Sequence, residues 1–198
     1  MPSTESVGEP RLFRVILTGE NSVIRLNVND NDAFTTNATF WRILSCPGGP
    51  GHVLFIKSEL TQDHWRIYSD NIAMTRWLQS TVLGAINAEL RDAAISVIES
   101  QFSRSGDARD FWTEQVDTRS EQIALTWYKF GEPLLVHTQP NTIPGRPYGM
   151  CTVLVPAFGA RLTRNGEEAQ GRCWPRDREG RPSSTCVLGL CESWTAER

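Results

Sequence analysis

The sequence predicts a mainly β fold: an antiparallel β-barrel or sandwich of about eight to ten strands, with one amphipathic helix around residues 71–83. Three observations predict it. Short runs with an apolar residue at every second position recur along most of the chain. Turn-forming pairs and Gly/Pro clusters separate these runs at spacings suited to hairpins. Strands and helices do not alternate regularly, as a parallel doubly wound sheet would require.

The elements follow in order. Residues 1–10 are polar, with two prolines and a glycine, and read as a loose tail ahead of one domain over 11–198. Arg11–Thr18 is apolar and β-branched and reads as a strand ending in a Gly19-Glu20-Asn21 turn. In 23–29, Ile24, Leu26 and Val28 alternate with Arg25, Asn27 and Asn29, the pattern of a half-buried strand. Asn29–Asp32 is a polar turn that lacks the spaced ligands and closing glutamate of a calcium loop. Ala38–Leu44 reads as a strand and Cys46–Gly51 as a loop, because Gly and Pro at that density cannot continue a ladder. His52–Leu60 and Asp63–Tyr68 read as a hairpin.

Asp70 is placed to cap a helix in which Ala73, Met74, Trp77, Leu78, Thr81 and Val82 recur at helical spacing until Gly84. Residues 85–102 fit both periodicities and are read as a helical turn to about Arg91, then a strand over Ala94–Phe102. Phe111–Val116 and Glu121–Phe130 form a hairpin, and Leu134–His137 is a short strand. Residues 139–149, with three prolines and two glycines, form a loop long enough to be a lid or rim. Met150–Val155 is a core strand. Ala160–Arg164 and Glu167–Cys173 flank Asn165-Gly166, the strongest hairpin signal in the chain. Residues 174–184 read as a polar loop and Cys186–Trp194 as a last strand.

Composition excludes several function classes. The 198 residues are 39% hydrophobic and 22% charged, with a formal net charge of −3. Charges of both signs are scattered, so nothing matches the clustered basic surface that a nucleic-acid partner demands. No apolar run approaches the ~20 residues that cross a bilayer, and the N-terminus lacks the features of a secretion signal. The expected partner is therefore neither nucleic acid nor membrane, and the expected compartment is the cytoplasm. Five cysteines, Cys46, Cys151, Cys173, Cys186 and Cys191, are an odd number and read as reduced thiols. Seven tryptophans imply a large core or a pocket walled by flat apolar surface.

Reaction motifs are missing: there is no Gly-x-Ser-x-Gly, no Cys-x-x-Cys and no dinucleotide-binding glycine fingerprint, so no cofactor is expected. His52, His64 and His137 lie far apart, without the spacing of a metal site. His64, Arg66 and Tyr68 share one face of a predicted strand and offer a base, a cation and a phenol to any cavity they face. Glu114 falls between Trp112 and Val116, and Glu99 shares a face with Ile95 and Val97. A carboxylate in such surroundings has a raised pKa suited to acid–base work near neutrality. Arg76 and Trp77 on the helix, Trp127 and Tyr128 on a central strand, His137 on the short strand and Arg146 in the long loop complete the candidate pocket.

The expected function is the binding of a small organic molecule inside a β-barrel. Its sharper form is a cofactor-independent lyase, isomerase or hydrolase acting on an apolar or aromatic substrate. His64 is then the base, Glu114 the acid or its orienter, with Tyr68 beside them, and Arg76 or Arg146 the anion clamp. Two other readings are a non-catalytic ligand carrier and a homo-oligomeric interaction module with tryptophans at the subunit contact.

Overall fold

A computed structural model describes residues 12–30, 32–142 and 146–197; the expected tail, 1–10, lies outside the described residues. The strands are β1 (Phe13–Leu26), β2 (Thr36–Ser45), β3 (Gly51–Ser58), β4 (Arg66–Ser69), β5 (Val97–Glu99), β6 (Gln101–Gly106), β7 (Phe111–Asp117), β8 (Gln122–Phe130), β9 (Leu134–Thr138), β10 (Tyr148–Arg164), β11 (Glu167–Glu168), β12 (Pro175–Arg178), β13 (Arg181–Ser184) and β14 (Val187–Glu197). Ten of them pair in the order β5-β4-β3-β2-β1-β14-β10-β8-β7-β6, β9 and β11 pair with β10, and β12–β13 is a separate hairpin. The two ends of that order, β5 and β6, are separated in the chain only by Ser100. One extended segment thus serves both edges, and the sheet is a nearly closed barrel. The seam is its one departure from the antiparallel expectation, because β4 and β5 run parallel.

Alternation sorts the side chains into two apolar layers. Ala38 and Phe40 of β2, Leu54 and Ile56 of β3, and Ile123, Leu125 and Trp127 of β8 are all buried in one cluster. Strands β2 and β8 stand on opposite walls, so their side chains can meet only across the interior. That interior is filled with hydrocarbon and indole rather than hollow. The intervening residues Trp41, Ile43, Val53, Phe55 and Ile67 point outward into a second cluster with Met74, Leu78, Val82, Leu83 and Leu90. The latter come from a helical segment lying on the outside of the barrel. It runs as α1 (Ile72–Leu78), widens to a π-turn over Gln79–Leu83, and ends at Gly84–Ile86. Because β3 is buried on both faces, its sequence reads as the unbroken apolar run Val53-Leu54-Phe55-Ile56.

Several boundaries differ from the sequence reading. The expected Gly19–Asn21 turn does not form, and β1 continues through it. A Cβ on Gly19 would lie 2.3 Å from the Arg42 carbonyl oxygen, so this glycine permits a close strand approach at a register shift. Gln62 and Asp63 both take left-handed φ values of 56°, which delays β4 to Arg66 and leaves Asp63–Trp65 outside the strand. The helix is capped by Asn71, whose side chain accepts from Met74 N–H, and not by Asp70. Asp70 instead accepts from the backbone N–H of His52 (2.6 Å) and contacts its Nδ1 (2.7 Å). Gly84 is right-handed and does not stop the helix. Residues Ala88–Arg91 form the expected turn, and the following strand starts at Val97. Residues 174–184 contain a hairpin and not a loop. Its turn, Glu179-Gly180, has both φ values positive, as does the expected Asn165-Gly166 turn.

Candidate functional site

The structure disperses most of the sequence-predicted site residues. His64 is exposed in the turn before β4, and His137 is exposed on β9. Arg66 and Tyr68 close one end of the barrel around Glu121. The Tyr68 hydroxyl donates to Glu121 (2.5 Å), Arg66 donates at 2.8 Å and Arg164 at 2.9 Å. Burial, then the neighbouring Glu121, pushes the Tyr68 phenol up to about 12, so it stays a proton donor. Glu114 lies at the other end, 2% exposed, and accepts from Arg104 (2.7 Å) and Trp112 Nε1 (2.8 Å). Burial raises its pKa against those two partners. His64 and Glu114 are not brought together.

Arg76 staples the helix to the following segment by donating to Gln79 (2.6 Å) and the Ile95 carbonyl (2.9 Å). Trp77 packs on the outer apolar layer. Trp127 is fully buried and its Nε1 donates to the Val23 carbonyl (3.0 Å). Tyr128 lies on the outer surface over Gly159, where a Cβ would overlap its ring. Among the described residues no three His, Cys, Asp or Glu side chains gather as a metal site.

Of the expected residues, Arg146 reaches a cavity of a different kind. On the outer face of β2, β1, β14 and β10 lies a groove of about 510 Å³. One wall is the segment from Leu83 to Leu90; another is the β12–β13 hairpin with Arg176 and Arg178. Trp41, Trp194, Asn21, Thr39, Thr152 and Glu192 make up its floor. The Arg146 guanidinium lies 5.6 Å from the Trp194 ring centroid, and the Trp41 and Trp194 rings meet at 6.2 Å with a tilt of 51°.

A bulge creates this floor. Leu188 and Leu190 of β14 face the barrel interior, so regular alternation would send Glu192 inward too. Cys191, however, takes a left-handed φ of 54°. The register steps from Cys151↔Ser193 to Val153↔Leu190, so Cys191 and Glu192 together lie opposite Thr152. The extra residue reverses the phase and aims Glu192 and Trp194 outward into the groove.

Glu192 is 2% exposed, and its carboxylate accepts from Trp194 Nε1 (2.5 Å). Burial pushes its pKa up to about 7, although hydrogen bonds from Trp194, Thr152 and Asn21 and the charge of Arg146 oppose the shift. Asn21 is held by Thr39, which donates to its Oδ1 at 2.8 Å. Trp41 Nε1 is buried on the same floor and has no hydrogen-bond partner. A buried N–H without an acceptor costs about 1–3 kcal/mol.

The groove therefore sets arginine at its rim over a floor of buried indole rings and a carboxyl whose pKa burial raises to about 7. Fold and site together define a nearly closed, solid-cored β-barrel with an external polar-floored groove. No protein family, curated protein or solved structure matches this chain. Sequence reasoning missed Glu192, although its signal was the one that singled out Glu114: a carboxylate flanked by Leu190 and Trp194 at strand spacing.

Proposed function

We propose that the protein binds a small organic molecule in the outer groove and acts on it by acid–base chemistry, as a cofactor-independent lyase, isomerase or hydrolase. The carrying observation is the buried Glu192 carboxyl, its pKa raised to about 7 by burial, on the floor of the groove. A flat apolar or aromatic body lies over the floor, and a small opening of that floor lets an acceptor atom on it reach the otherwise buried Trp41 N–H. Glu192 is then the group that takes or gives a proton, a role the sequence reading gave to His64. Arg146 serves as the anion clamp, with Arg176 and Arg178 on the opposite wall. The cytoplasm is the proposed compartment, in keeping with five cysteines that are all free thiols. No helix among the described residues is long and apolar enough to cross a membrane.

The test starts from quenching of tryptophan fluorescence by a panel of small aromatic acids, esters and ketones, followed by Glu192→Gln and Trp41→Phe. An enzyme loses turnover by about two to four orders of magnitude in Glu192→Gln with affinity nearly kept. A carrier loses affinity only. If neither substitution changes binding or turnover of the compounds that quench, the groove is not the site.

A further inference from the structure

The β12–β13 hairpin brings two thiols into register. Its two-residue turn sets the pairs Arg178↔Arg181, Asp177↔Pro182, Arg176↔Ser183 and Pro175↔Ser184. One step further, Thr185 N–H donates to the Trp174 carbonyl (3.0 Å), and Trp174 N–H donates to Thr185 Oγ1 (3.0 Å). Residues 174 and 185 are thus a hydrogen-bonded pair. The strand register itself ends at Pro175 and Ser184; continued through 174 and 185 by one more step, it sets Cys173 opposite Cys186 at a non-hydrogen-bonded position. Cα atoms at such positions approach to about 4.5 Å, within the span of a disulfide. Cys186 lies in the interior apolar cluster and Cys173 packs against it, close enough for each thiol to shift the other's titration.

We propose that Cys173 and Cys186 are a redox-active pair, which a small-molecule disulfide oxidises to a cross-strand disulfide across the base of the hairpin. Cys173 is the half-buried, reachable partner, and Cys186 is fully buried. The neighbouring Cys186 thiol lowers the Cys173 thiol to about 7, which favours the reactive thiolate. Burial holds Cys186 well above the ordinary thiol range, so it stays protonated. The Cys173 thiolate attacks one sulfur of the small disulfide and expels one thiolate. Cys186 gives up its proton to that thiolate and attacks the Cys173 sulfur, which expels the second. Two protein thiols and one small disulfide become one protein disulfide and two small thiols. Six residues enclosed by the crosslink line the groove, Arg176 and Arg178 among them, so oxidation stiffens one of its walls.

The experiment uses the full chain with the other three cysteines replaced (C46S/C151S/C191S), incubated in glutathione redox buffers. Intact mass should show the loss of two hydrogens, and peptide mapping should link Cys173 to Cys186. The same link should appear in the unsubstituted chain, and the melting temperature should rise on oxidation. With Cys186→Ser added, one glutathione should accumulate on Cys173. The proposal is overturned if the doubly thiol-bearing protein stops at the glutathione adduct. A different pairing in the unsubstituted chain overturns it too, as does survival of both thiols in a buffer that oxidises the unfolded chain.

Discussion

At the scale of single residues, a buried and a half-buried carboxylate lie in opposite electrostatic situations, and pH should separate them. The pKa of Glu192 rises on folding from an unfolded value of about 4.3 to about 7. Its contribution to stability is complete below pH ~4.3 and is lost as pH climbs through 7, for a total of about 4 kcal/mol. Relative to the parent, Glu192→Gln should therefore gain stability between pH 4 and pH 8, measured as the shift in urea midpoint. Burial also pushes Glu121 upward, but hydrogen bonds from Arg164 and Tyr68, together with the two arginine charges, outweigh it and hold its pKa below the ordinary value. That contribution is present above pH ~4.3 and disappears as acid protonates the folded state. Glu121→Gln should cost about 1–3 kcal/mol at pH 7, because Arg66, Arg164 and Tyr68 lose the shared negative charge and one of its two accepting oxygens, and less at pH 3.

At the scale of elements, the helix and the β1–β2 ladder each rest on one small device. Asn71 caps the helix at Met74 N–H, and its side-chain amide also donates to the Pro50 carbonyl (2.8 Å). Asn71→Ala should cost about 1–2 kcal/mol in thermal or denaturant unfolding. Gly19→Ala should cost about 1–3 kcal/mol, since its new methyl meets backbone at 2.3 Å and the two strands must part.

The same scale explains what the sequence disclosed. Alternation exposed β7 and β8, and Asn165-Gly166 announced its turn, because both signals are local and carried by residue types with matching preferences. The run Val53–Ile56 was legible as a strand, but its second buried face required knowing that a helix covers it. Glu179-Gly180 went unread because Glu at a left-handed position has no compositional signature. The Cys191 bulge was hidden for the same reason, and with it the direction of Glu192. Fold class is written in periodicity, whereas the groove depends on a phase reversal that periodicity cannot express. Arg146 drew notice because it stands in a stretch rich in Pro and Gly, and such stretches often form rims.

At the scale of the whole molecule, the seam at Ser100 makes the sheet nearly continuous. The Ser100 N–H donates to the Ser69 carbonyl (3.0 Å) and so extends the parallel β4–β5 pairing. Ser100→Pro removes that donor at the one place where both edges are stitched together. It should free β4 as an edge and promote concentration-dependent association, visible as a larger species in sedimentation.

The position of β14 has a consequence for how such a chain is made. It stands between β1 and β10, and both lean on it along most of its length. A polypeptide interrupted anywhere before Val187 lacks a middle stave, so its two halves have no common neighbour. That missing stave also carries Glu192. Nascent chains must therefore wait for β14 before the wall and its buried carboxyl arrive together.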